Sequence, residues 1–76
     1  MNKDRRKLID EAISELESAK EKLENARDEE QEYKDAMPEN MQSGDKGSQA
    51  DEAISNLEDA ISNVEDALGA AENAKQ

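Results

Sequence analysis

The side chains able to do chemistry in this 76-residue chain are restricted in kind. There is no His and no Cys, so the usual general base, the thiol nucleophile and the common transition-metal ligands are missing. Ser14, Ser55 and Ser62 fall on stretches that read as helix, with no base to activate them. Carboxylates are abundant, 21 against 10 Lys and Arg, but they recur at heptad spacing along helix exteriors. Raising a carboxylate's pKa needs burial, which such positions do not offer. No D-x-D-x-D-G loop for calcium occurs. The expectation is a protein that is not an enzyme and uses neither metal nor cofactor.

Binding chemistry is what remains, and three places could supply it. The first is the polar stretch 37–48, MPENMQSGDKGS. Asn40, Gln42, Ser43, Lys46, Ser48 and Gln49 crowd a segment in which Gly44 and Gly47 expose backbone N–H groups. The segment runs into a helix N-terminus, the one place in an acidic chain suited to an anion such as phosphate. As a ligand site, it would stack Tyr33 on a base and set Lys46 against phosphate. Asn40, Gln42, Ser43 and Ser48 would supply hydrogen bonds. As a structural element, Tyr33 would join Met37 and Met41 in a plug closing the end of the helices, and heptad spacing puts Tyr33 on the packing stripe.

The second place is the acidic face Asp51, Glu52, Glu58, Asp59, Glu65, Asp66 and Glu72. It is either a solvated surface or a nucleic-acid mimic that fits a basic groove on another protein. Carboxylate pairs one heptad apart are about 10.5 Å apart at helical rise, which has no special match to successive phosphates. The third is the basic start KDRRK, with Lys3, Arg5, Arg6 and Lys7 where a helix dipole disfavours cations. Charge complementarity with an acidic partner helix is one reading of it, and a basic lip for an anionic ligand is the other.

The elements that must hold these groups are helices. Residues 10–14 and 51–55 both read DEAIS. In the second half, Ala53, Ala60, Ala67 and Ala74 form one heptad row, Ile54, Ile61 and Leu68 a second, and Leu57, Val64 and Ala71 a third. A sustained seven-residue repeat reads as supercoiling helix. In the first half the stripe is narrower: Ile9, Ala12, Leu16, Ala19, Leu23 and Ala26, while the row begun by Ile13 decays into Lys20 and Arg27.

The pattern predicts one domain over 1–76, with a helix over about 3–37, a hinge over about 38–47 and a helix over about 48–74. Pro38 disfavours helical geometry in the residue before it and opens a short turn through Met41. Ser48 with Asp51 makes a capping box for the second helix. Gly69 is an interior glycine costing about 1 kcal/mol against Ala.

Composition bounds the rest. The large aliphatic side chains are ten Leu, Ile and Val, with no Phe or Trp, too few to stabilise a chain of this length alone. Self-association is therefore expected, through Ile54, Leu57, Ile61, Val64 and Leu68. A net charge of −11 repels nucleic acid and anionic membranes. No apolar run approaches membrane-spanning length, and MNKDRRK lacks the apolar stretch of a secretory signal. The expected location is the cytoplasm of a bacterial host cell.

The hinge resembles that of short acidic proteins encoded by Gram-positive bacteria, their phages and mobile elements. These carry Tyr or Phe, then M-P-E-N, an apolar residue, Gln, Ser and Lys/Arg-Gly before an EAI-x-N-LE helix. Here the matching residues are Tyr33, MPENMQ at 37–42, Ser43, KG at 46–47 and DEAISNLEDA at 51–60. The likeness spans roughly residues 29–68 and implies no catalytic or binding assignment. In size and helicity the chain is also similar to small oligomeric phage proteins that sequester nucleotide immune signals, an analogy alone.

The expected fold is all-α, an antiparallel two-helix hairpin with heptad-like stripes, assembling into a homodimer or larger helical bundle. The expected function is non-catalytic binding: an anti-defence sponge holding a small anionic nucleotide between hinges of neighbouring subunits. The alternative is an acidic interaction or decoy module for a basic protein surface.

Overall fold

Good helix formers fill the first half of the chain, and the helix α1 runs over Lys3–Asp35. Asn2 caps it, its side-chain oxygen accepting from the Arg5 N–H at 2.9 Å. Pro38 stops it, and Met37 turns back to donate to the Lys34 carbonyl at 3.0 Å. Pro38 then opens the single turn α2, Glu39–Gln42, its carbonyl accepting from Met41 at 2.9 Å and Gln42 at 3.1 Å. The third helix, α3, occupies Asp45–Ala74. This computed structural model describes residues 1–76, all-helical with no strand.

The long helices lie alongside each other in a thin rod of 58 × 14 × 12 Å. Two ion pairs tie them: Lys34 to Asp51, and Asp10 to Lys75 at 2.9 Å. In both pairs the residue numbers add to 85, so a single register runs the length of the pair, early α1 beside late α3. No helix is long and apolar enough to cross a membrane.

The inward face of α1 differs from the expected stripe. Ala12, Ala19 and Ala26 are exposed, whereas Ile13 is buried and Lys20, Arg27 and Lys34 are half-buried on the seam. The two stripes share Ile9, Leu16 and Leu23, and differ only in which neighbouring row turns inward. Ile13 and Met37 bury more apolar surface than alanine methyls. The aliphatic stems of Lys20, Arg27 and Lys34 cover the seam while their charged ends reach its edge. Tyr33 belongs to the rejected alanine row, so it is 52% exposed and off the packing stripe.

Opposite these residues, α3 turns Gly47, Ala50, Ile54 and Ile61 inward, all buried, with Leu57, Val64, Leu68 and Ala71 half-buried. The register sets Leu16 level with Leu68, Leu23 with Ile61, Arg27 with Leu57 and Met37 with Gly47. Six residues in the whole chain are buried, so one seam is all the interior the pair has.

The capping box is also corrected. The helix α3 starts one turn earlier than Ser48, with Gly44 as its cap residue and no side-chain cap. Ser48 is already inside, donating its N–H to the Gly44 carbonyl at 3.0 Å. Gly47 permits this. A Cβ there would lie 1.8 Å from the Gln42 carbonyl oxygen, so only glycine lets α3 extend beneath α2. Gly47 is therefore a buried point of close approach, not a hinge residue that exposes its backbone N–H.

Candidate functional site

Each hinge side chain takes its place from α2 lying across the first turn of α3. Gln42 is spent on the fold: its side-chain amide donates to the Met37 carbonyl at 2.9 Å, partly buried. Met37 is buried, Met41 is 38% exposed and Tyr33 points to solvent, so the plug expected from all three reduces to Met37. Asn40 and Lys46 do come together. With Met41, Gly44 and Asp45 they line a shallow depression of about 230 Å³. Tyr33, Gln42, Ser43 and Ser48 do not line it.

A depression of this size is below the roughly 300–1,000 Å³ of small-molecule sites. Its electrostatics are also mixed. The exposed N–H groups of the α3 N-terminus and the Lys46 ammonium favour an anion, while the Asp45 carboxylate in the same first turn already satisfies the helix dipole. Gly44 has given its N–H to the Met41 carbonyl at 3.1 Å.

The second constellation is one of charge. Asp10, Glu17 and Glu24 on α1 and Asp51, Glu58, Glu65 and Glu72 on α3 flank one edge of the seam, by heptad position and register. The cations Lys20, Arg27, Lys34 and Lys75 occupy inward positions between them. Lys34 reaches Asp51, Lys75 reaches Asp10 and also Glu72 at 3.4 Å, and Arg27 pairs with its neighbour Asp28 at 3.1 Å. The hydrogen bond to Asp10 raises the Lys75 pKa, with partial desolvation opposing and the charges of Asp10 and Glu72 adding. Sequence reasoning saw this cation row only as a decaying apolar row. The signal was its strict heptad spacing from Ile13 through Lys20, Arg27 and Lys34.

The basic start of α1 behaves differently. Lys3, Arg5, Arg6 and Lys7 are exposed, and none makes an ion pair, so the complementarity expected for them inside the chain is supplied by Lys75 and Asp10 instead. Between Lys46 and Lys75, α3 has no cation at all and seven carboxylates: Asp51, Glu52, Glu58, Asp59, Glu65, Asp66 and Glu72. All seven are exposed. No three acidic side chains converge as a metal site would require. No protein-family model matches this chain, and no curated protein or solved structure matches it.

Proposed function

We propose that the chain is a non-catalytic, self-assembling helical hairpin whose acidic α3 face engages a basic protein surface. The observation that carries this reading is the cation-free run from Gly47 to Ala74, with its seven exposed carboxylates on one rigid helix. From Asp51 to Glu72 they extend over about 32 Å at helical rise. A rigid rod with charge of one sign steers a basic partner towards it and loses little conformational freedom on docking. The hinge's resemblance to proteins of Gram-positive bacteria, their phages and mobile elements supports a bacterial cytoplasmic setting.

The test is capture of proteins from a bacterial lysate on the wild-type chain and on Asp59→Lys/Asp66→Lys, at low and high salt. Basic proteins should be enriched on wild type alone, and the enrichment should fall steeply with salt. Equal capture by the charge-reversed chain would end the acidic-surface reading.

A second reading, the anti-defence nucleotide sponge, is favoured by one observation: Asn40 and Lys46 meet at the N-terminus of a long helix. In that reading hinges of neighbouring copies complete the depression and Tyr33 stacks on a base. Thermal unfolding across linear and cyclic nucleotides tests it. A rise following mass action for one nucleotide, lost on Lys46→Ala, supports the sponge. An unchanged melting temperature with every nucleotide rejects it.

A further inference from the structure

Folded monomers follow a surface-to-mass relation that gives about 4,600 Å² for a chain of 8.4 kDa. This chain exposes 5551 Å², an excess of about 900 Å². Such an excess is what a rod one seam thick must show, and the surface holding it is not uniform.

One face of the rod is an uncharged double ladder. Ala12, Ala19, Ala26 and Tyr33 form the row beside the seam on α1, and Ala53, Ala60, Ala67 and Ala74 form the matching row on α3. The register sets Ala19 level with Ala67 and Ala26 with Ala60. In a chain with 41% charged residues, these eight positions have none. Of the large apolar side chains most exposed on the long helices, Tyr33 at 52% ends the α1 alanine row, and Leu8 at 65% lies one row outside its other end. Beyond the ladder the α3 row is Gln49, Asn56, Asn63 and Ala70, polar or small but uncharged, and the α1 row is Leu8, Glu15, Lys22 and Glu29, a rim of mixed charge.

We infer that this alanine face is the interface between two copies of the chain, packed face to face as a four-helix bundle. The inference rests on the self-assembly part of the function proposed above and specifies its surface. The area argument selects the occupant. A rod 58 Å long and 14 Å wide offers roughly 800 Å² per copy, close to both the excess exposure and the partner share of a standard interface. Alanine rows let helix backbones approach closely, so the two seams merge into one interior with Tyr33 closing one end and Leu8 flanking the other. The acidic edge of the seam and the exposed carboxylates of α3 point away from the contact, which keeps two chains of charge −11 from opposing each other directly.

The same face is also not the one expected from sequence. Ile54, Leu57, Ile61, Val64 and Leu68 line the α1–α3 seam, and the contact between copies passes instead through the flanking alanines.

The experiment is the mass in solution by light scattering, for wild type, Ala19→Glu, Ala19→Lys and the control Ser18→Glu on the neighbouring solvent row. Wild type and Ser18→Glu should run at twice 8.4 kDa, and both Ala19 variants at the single-chain mass. Glu and Lys are good helix formers and Ala19 is exposed in one copy, so the variant chains keep their helices. Dissociation by Lys as well as Glu excludes added negative charge as the cause.

A second measurement needs no disruption, because the chain has no cysteine of its own. At high chain concentration Ala19→Cys should alkylate about tenfold slower than Ser18→Cys, and the two should converge on dilution. A dimeric wild type with dimeric Ala19→Lys and equal alkylation at both sites would overturn this face while leaving self-assembly standing. A wild type at the single-chain mass would overturn both.

Discussion

Replacing Gly47 by Ala places a methyl carbon 1.8 Å from the Gln42 carbonyl oxygen, 2.4 Å from its carbon and 2.8 Å from its Cα. All three atoms are backbone, so no side-chain rotation relieves the contact. The α2 turn must retreat by roughly 1.5 Å to reach ordinary van der Waals distance. Overpacking of this kind costs about 1–3 kcal/mol. Against it stands a gain of at most about 1 kcal/mol, because Ala is a better helix former than Gly. The expected net loss is about 1 kcal/mol, or a melting temperature lower by roughly 4–8 °C for a domain of this size.

Gly69→Ala supplies the internal reference. It is the same change in the same helix, but nothing lies within 4 Å of its Cβ. Only the propensity term remains, about 0.5–1 kcal/mol of added stability. The assay is thermal unfolding by circular dichroism at one fixed chain concentration, with amide exchange to locate the change. In Gly47→Ala, exchange should accelerate across residues 38–44 while the middle of the long helices is unaffected. If Gly47→Ala stabilised the protein as much as Gly69→Ala does, the close approach of α2 to the first turn of α3 would be refuted.

Ile61→Ala should cost about 2–5 kcal/mol, since Ile61 is 5% exposed at the middle of the only seam; an unchanged urea midpoint would contradict that seam. Arg27→Leu should stabilise by about 1 kcal/mol, because its inward position is level with Leu57 and its one ion pair is to the exposed neighbour Asp28. A fall in stability would mean instead that the guanidinium is needed between the acidic rows. For Lys75, a folded-state pKa raised above its ordinary 10.5 gives stability that is complete below that pH and lost as pH rises through the higher folded value. Wild type and Lys75→Met should therefore differ in melting temperature at neutral pH and converge as pH rises through that raised folded value; a constant gap would assign the difference to packing of the stem.

Much of the architecture was legible because the heptad is explicit. The rows through Ile54, Leu57, Ile61, Val64 and Leu68 mark the apolar face of α3, which the sequence reading gives to the contact between copies and the structure packs on the seam with α1. Pro38 predicts where α1 stops and a turn begins. The hinge was less legible. Its polar residues read as free donors, yet Gln42 is committed to the Met37 carbonyl, and Gly47 serves a backbone crossing that no local signal announces. Spacing alone puts Tyr33 on the alanine stripe, and that stripe faces outward.

The sequence by itself determines that the chain is helical, that its apolar rows repeat every seven residues, and that its charge leaves α3 without cations from Gly47 to Ala74. Only the tertiary structure decides which side of α1 meets α3. Two heptad stripes overlap there, sharing Ile9, Leu16 and Leu23, and hydropathy favours the alanines over Lys20, Arg27 and Lys34. Packing reverses the choice because it counts buried methylenes rather than residue polarity. A lysine stem beside an acidic wall covers the seam better than a methyl group, and the alanines are left facing outward.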